Sequence, residues 1–135
     1  MTRPTRSTST KRGCDPGEVS VETVLLVPVL FVIALIAVQA AIVLHGIGVA
    51  NHVAVQGAMA AARHGASTVE GEIAVDVATN ALGARLTRPP LVHSSADDVT
   101  VRVWVHIPQA VPFFAEQVSR QATVARERYV PHAER

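Results

Sequence analysis

The sequence predicts an α+β fold, in which a long N-terminal transmembrane helix continues into a small head with a second helix and an antiparallel strand pair. Three patterns support this prediction: an uncharged apolar run near the N-terminus, helical spacing of apolar residues after it, and a strictly alternating stretch further on. An apolar run of about 20 residues crosses a bilayer as a helix. Strict alternation is the pattern of a half-buried strand.

The composition excludes several classes of protein. The net charge is only +1, and the basic residues are scattered without interleaved aromatics, so binding to nucleic acid is not expected. Cys14 is the single cysteine, which leaves no internal disulfide and no cysteine-based zinc site. Cys14 precedes the apolar run, whereas the cysteine of a lipoprotein follows one, so a lipid anchor on Cys14 is not expected. Aromatics make up 4% of the residues, so we expect the small head to lean on partners.

The apolar run from Val24 to Leu44 contains no charge and one strongly polar residue, Gln39. A cleaved secretory signal has a shorter apolar stretch of about 7 to 15 residues, so a lasting membrane span is the main interpretation. The alternative is ordinary signal cleavage, which "AVQA" at positions 37–40 leaves open. Pro28 lies inside the run and is expected to kink the helix.

The charges on either side of the span predict its orientation. Basic residues precede it, and none follows until Arg63. The excess of Lys and Arg before the span places the N-terminus in the cytoplasm and everything after about His45 outside, on a single-pass protein of the cell (inner or plasma) membrane.

Helical spacing continues after the span, so we expect residues 45–66 to prolong the N-terminal helix. Gly46, Gly48 and Gly57, with many alanines, give this part a narrow surface. Such surfaces let other helices approach closely in an assembly. Alternatively, the same surface packs against the protein's own head.

A second helix is predicted from about Val69 to Leu86. Ser67 or Thr68 is the candidate cap, and acidic residues in the first turn and a basic residue in the last turn suit the helix dipole. Two prolines stop it. The predicted apolar stripe consists of Ile73, Val77, Ala81 and Leu82. The acids of the first turn are Glu70 and Glu72, the base of the last turn is Arg85, and the prolines that stop the helix are Pro89 and Pro90.

The stretch "DVTVRVWVHIP" alternates strictly and predicts a strand whose valines face the core. A second extended run, about Gln117 to Arg128, is expected to pair with it and to pack on the second helix. Trp104, Phe113 and Phe114 are candidates for an exposed contact patch. The alternative is that they complete a small core.

The sequence offers no catalytic constellation, so we do not expect an enzyme, a cofactor, a metal site or a small-molecule substrate. The six histidines are spread out without metal-ligand spacing, and neither a G-x-S-x-G elbow nor a phosphate-binding loop is present.

Glu22 is an acid at the edge of the apolar run, and its surroundings carry a family resemblance. "GEVSVETVLLVPVLFVIALIAV" resembles the start of type IV pilins and pseudopilins, and most closely that of TadE-like proteins of tight-adherence pilus systems. "QGAMAAARHGAS" and "VSRQATVARERYV" are similar to later parts of that family. The resemblance implies a pilin-like fold and a cut by a prepilin peptidase between Gly17 and Glu18, which makes Glu22 the fifth mature residue.

The resemblance and the patterns together divide the chain into a basic leader (1–17), a transmembrane helix (18–44), its extension (45–66) and an extracytoplasmic head (67–135). In an assembly, the Glu22 carboxylate can neutralise the freed α-amino group of another subunit. The alternative is that Glu22 lies in the headgroup region near the helix N-terminus, where negative charge is favoured.

The resulting hypothesis is a pseudopilin-like component of tight-adherence pilus assembly or a related secretion apparatus. Its implied partners are the membrane, the prepilin peptidase, other pilins or pseudopilins and the assembly platform. The runner-up is a single-pass membrane protein whose outward domain binds a ligand or hydrolyses a substrate.

Overall fold

The computed structural model describes residues 16–127, with side chains from residue 21 onward. Its elements, in chain order, are α1 (Pro16–Ala62), α2 (Thr68–Ala81), β1 (Leu91–Ser94), β2 (Asp98–His106) and β3 (Gln117–Ala125). The predicted α+β class is confirmed, with a long apolar N-terminal helix, a second helix and an antiparallel sheet. The sheet has three strands instead of the predicted pair. Internal contacts divide the chain into two compact units, Met1–Ala34 and Leu35–Arg135.

The described part of the first unit is the beginning of α1. Every side chain described there, from Val21 to Ala34, is exposed. Within the described residues, one helix is long and apolar enough to cross a membrane, with a mean hydropathy of 2.8 in a window that is only 6% buried. These side chains are apolar and have few protein contacts, so they suit lipid as a solvent.

The core of the second unit lies between the later part of α1 and the inner face of the sheet. The predicted alternation of β2 is confirmed, because its inward residues are at most 2% exposed. The core consists of small and medium aliphatic side chains, which fits the low aromatic content. Its main members are Val49, Ala50, Val53, Ala54, Ala58, Ala61, Ala62, Val75, Val99, Val101, Val103 and Val105.

The sheet has the order β1-β2-β3, and both pairings are antiparallel. Val101 in the central strand lies opposite Val92 of β1 and Ala122 of β3. After β3, the backbone N–H of Glu127 donates to the carbonyl of Ala62 at 2.9 Å, and the Arg126 guanidinium donates to the carbonyl of Ala66 at 3.1 Å. These bonds fix the end of the sheet to the end of α1.

The two helices approach closely where each has a glycine. A Cβ built on Gly57 would lie 2.5 Å from Cγ2 of Val75 in α2, and one built on Gly71 would lie 3.1 Å from the carbonyl oxygen of Gly57. A Cβ on Gly46 would lie 3.1 Å from the side chain of Ile107, whereas Gly48 has nothing within 4 Å. At Gly46 and Gly57, therefore, the small-residue surface of α1 packs against the protein's own head.

The predicted second helix was too long at its C-terminal end. It ends at Ala81 instead of Leu86, because Leu82 caps it and Gly83 adopts a left-handed φ of 62°. The Ala84 N–H donates to the Thr79 carbonyl at 3.0 Å, which turns the chain away from the helix axis. Arg85 consequently lies outside the helix.

The predicted apolar stripe of this helix was also wrong. Gly71, Val75 and Thr79 form the buried face, whereas Ile73 is 56% and Val77 is 63% exposed. The face that contains Gly71 turns inward, because a Cβ at position 71 would lie 2.9 Å from the Cβ of Ala61 and the glycine is what allows this close approach to α1. Ile73 and Val77 therefore point away from the core.

The α2 cap is Ser67, one of the two predicted candidates. Its hydroxyl accepts from the Val69 N–H at 3.3 Å and donates to the Glu70 carboxylate, and its own N–H donates to that carboxylate at 2.8 Å. The bond from the Ser67 hydroxyl, and after it the bond from the Ser67 N–H, lower the pKa of the Glu70 carboxyl. The arrangement is a capping box.

Replacing the cap, Ser67→Ala, is expected to lower the free energy of unfolding by about 1 kcal/mol at neutral pH. Because the folded-state pKa of Glu70 is lowered, its contribution is present above the unfolded-state pKa and is lost as the pH falls through the folded-state value. Thermal unfolding across this pH range should therefore show a smaller difference between the two proteins in acid, where only the bond from the Val69 N–H to Ser67 remains. Thr68→Ala is the control, and an equal loss in that variant would contradict the assignment of the cap.

Candidate functional site

The predicted processing segment lies at the start of α1. Gly17 and Glu18 fall within the bounds of that helix, and the side chain of Glu18 lies outside the described residues. The cut between them stays a prediction. Glu22 is exposed on α1, surrounded in sequence by exposed apolar residues, so its carboxylate is accessible to a neighbouring subunit or to headgroups. Pro28 lies inside the helix, and the kink stays a prediction.

Gln39 is the point at which a loop of the head contacts α1. Its side chain is fully buried, at 0% exposure, although its neighbours Val38 and Ala40 are exposed. Its Oε1 accepts from the backbone N–H groups of Ala110 at 2.8 Å and Val111 at 3.3 Å. Its Nε2 is buried without a hydrogen-bond partner among the described residues.

The sequence indicated Gln39 only as the polar exception in an apolar run. Its role as a loop contact was missed, because the loop it binds lies far away in sequence. The signal was nevertheless present, since a polar amide in a membrane-spanning run is costly unless it finds hydrogen-bond partners.

The three aromatic candidates occupy two places. Trp104 is half-buried on the outer face of β2, where the Arg88 guanidinium carbon lies 4.8 Å from the centre of its ring. Phe113 and Phe114 lie in the loop between β2 and β3 and are 100% and 40% exposed. The alternative that Phe113 completes the core is therefore wrong. Phe113 also has a φ of 81°, a backbone conformation that costs a non-glycine residue about 1 to 3 kcal/mol.

A groove of about 650 Å³ lies beside the start of this loop. Its walls include Ile42 and Pro108, and its polar side chains are His45, Arg85 and His106. The sequence did not predict that two of the six histidines share one groove, because they belong to different elements. Within the part of the chain that the structure describes, no three His, Cys, Asp or Glu side chains come together as candidate metal ligands.

In a comparison with protein families, residues 17–63 match the TadE-like proteins. The matched segment begins at Gly17 and ends one residue after α1. Searches among curated proteins and among solved structures found no significant match. The match covers less than half of the chain, but it includes every residue of the predicted processing segment. The resemblance to the TadE-like family is therefore confirmed over the segment that forms α1.

Proposed function

We propose that this protein is a membrane-anchored, pseudopilin-like component of a tight-adherence pilus or a related secretion apparatus, and that it acts through assembly instead of catalysis. The observation that carries the proposal is the extent of the family match, which starts at Gly17 and runs through the whole apolar helix. It includes Glu22 and Pro28 at the positions that the family resemblance requires.

The exposure of α1 supports this function. The large side chains from Val21 to Ile33 are more than half exposed, so they need lipid or other apolar helices around them. Such a surface serves membrane anchoring and assembly with pilins or pseudopilins and the assembly platform. In the proposed orientation the N-terminus is cytoplasmic, where the prepilin peptidase acts, and the head lies outside.

The proposed role of Glu22 follows from charge. After a cut behind Gly17, the new α-amino group at Glu18 is positive, and the Glu22 carboxylate of a neighbouring subunit can pair with it. Pairing lowers the free energy needed to take both charges out of water. An unpaired carboxylate has no such compensation when it enters lipid. The exposed position of Glu22 on α1 leaves the carboxylate accessible for this contact.

The mature chain is expected to begin at Glu18. Intact-mass measurement of membrane-purified protein, with and without a co-expressed prepilin peptidase, tests this directly. Gly17→Val should block cleavage because it places a branched side chain at the cut. Gly13→Val makes the same change elsewhere in the leader, and this variant should still be cleaved. Glu22→Gln tests the charge pairing separately. It should reduce the co-purification of the protein with partner subunits.

A chain that still begins near Met1 in the presence of the peptidase would contradict the processing. It would favour the unprocessed single-pass anchor. Normal co-purification of Glu22→Gln with pilus partners would contradict the proposed charge pairing.

A further inference from the structure

The loop from Pro108 to Ala115 connects β2 to β3 and contains no charged residue. Its base is closed by the Ile107 N–H, which donates to the Glu116 carbonyl at 2.8 Å. Within the loop, the side chain of Phe113 is 100% exposed. An uncharged loop that presents a fully exposed aromatic ring is unfavourable in water and indicates a contact surface.

Half of the eight residues in this loop leave no backbone N–H free for water. Pro108 and Pro112 have none, and those of Ala110 and Val111 donate to Gln39. The one strongly polar side chain of the loop, Gln109, donates to the Phe114 carbonyl. Because unsatisfied backbone groups oppose entry into lipid, these bonds lower the cost of moving the loop into an apolar medium.

The loop is attached to α1 at a level where the helix surface is itself apolar. Gln39 lies five positions before Leu44, which is about 7.5 Å of helix inside the predicted outer end of the span. The aliphatic side chains on either side of it are exposed: Ile36 by 47%, Val38 by 51% and Leu44 by 67%. A medium that covers these side chains therefore reaches the loop that Gln39 holds.

We propose that the Pro108–Ala115 loop enters the lipid surface, with Phe113 as its leading side chain, and forms a second membrane contact beside α1. The occupant is lipid because the loop continues the apolar surface of a helix long enough to cross a membrane, and because aromatic and aliphatic groups anchor proteins at the bilayer interface. The contact fixes the depth of α1 and holds the head against the membrane. It rests on the membrane span and does not require the pilus.

A single-tryptophan reporter tests the contact in the full chain. Trp104→Phe removes the only native tryptophan, and Phe113→Trp then reports from the loop. Ser95→Trp in the same background is the control, because Ser95 is exposed in the turn between β1 and β2. Arg126 bonds to both Ser95 and Ala66, so this turn lies near the C-terminal end of α1, which is the end away from the predicted span. Each protein is reconstituted in phosphatidylcholine vesicles, with or without bromine on the acyl chains, and its emission is measured with and without iodide in the water.

The reporter at position 113 is expected to emit at shorter wavelength, to be quenched by brominated lipid and to resist iodide several-fold better than the reporter at position 95. Equal quenching by iodide at the two positions, without quenching by bromine at 113, would overturn the proposal. Protection at 113 from both quenchers would also overturn it, in favour of a second copy or another protein on the loop.

A second probe keeps the test independent of tryptophan at this strained position. A nitroxide on Phe113→Cys, in a Cys14→Ser background, should be more accessible to oxygen, which concentrates in lipid, than to a water-soluble nickel complex. The opposite ratio overturns the proposal. Either negative result leaves processing at Gly17 and pilus assembly untouched, because those depend on the start of α1.

Discussion

Gly57→Ala is expected to destabilise the head by about 1 to 2 kcal/mol, although alanine is the better helix former. The added Cβ would lie 2.5 Å from Cγ2 of Val75, 3.2 Å from the Gly71 carbonyl oxygen and 3.3 Å from Cγ1 of Val101. Val75 and Val101 are fully buried, so neither can move into open space. The strain of overpacking therefore exceeds the gain of about 1 kcal/mol in helix propensity.

Gly48→Ala is the matched control, because it makes the same change in the same helix where nothing lies within 4 Å of the new Cβ. It should stabilise the protein by about 0.5 to 1 kcal/mol. Trp104 fluorescence during thermal unfolding in detergent micelles measures both, since the only tryptophan lies in the head. Equal stabilisation by the two substitutions would contradict the close helix crossing.

A double-mutant cycle identifies the atom responsible. Val75→Ala removes the methyl group that Gly57→Ala would meet, so the two changes together should cost less than the sum of their separate costs. Coupling of about 0.5 to 3 kcal/mol is usual for residues in contact. Strict additivity would place the strain of Gly57→Ala elsewhere, at the Gly71 carbonyl or at Val101.

The sequence predicted those elements whose pattern repeats along the chain. The burial of Val99, Val101, Val103 and Val105 follows from an alternation of two residues, which a reader of the sequence sees directly. The apolar α1 follows from length and composition in the same way. The resemblance around Gly17 and Glu22 was equally local, and it was confirmed by the family match over α1.

The errors arose where packing overrode hydrophobicity. In α2 the inward face is Gly71, Val75 and Thr79, because the close approach to α1 requires a glycine at position 71, and hydrophobicity alone selected the wrong face. The strand β1 is only four residues long and has no pattern strong enough to predict it. Its position depends on pairing with β2, which is a long-range contact.

The contact of Gln39 with the loop was beyond sequence reasoning for a related reason. A glutamine in an apolar run indicates that its amide needs hydrogen-bond partners. The sequence does not indicate which distant backbone groups supply them. Here the partners are two successive N–H groups of a loop that follows β2. Only the folded arrangement of α1 and the sheet brings them together.

Gln39→Met is expected to release that loop from α1. Methionine has a similar length and flexibility but accepts hydrogen bonds only weakly, so the N–H groups of Ala110 and Val111 lose their acceptor. Leaving such groups unsatisfied costs about 1 to 3 kcal/mol, which corresponds to about 5- to 150-fold faster amide exchange through local opening. Hydrogen–deuterium exchange of the full chain in detergent micelles, followed on peptides that cover the loop, measures this change.

Gln56→Met is the control, because Gln56 is exposed on the same helix and its replacement removes an amide without freeing the loop. Unchanged exchange at Ala110 and Val111 in Gln39→Met would mean that the loop is held by its own turn, through the bond of Ile107 to Glu116 and that of Gln109 to Phe114. Faster exchange confined to the loop would instead assign its attachment to a single amide. The polar exception in the apolar run would then be the residue that couples the head to the level of the membrane surface.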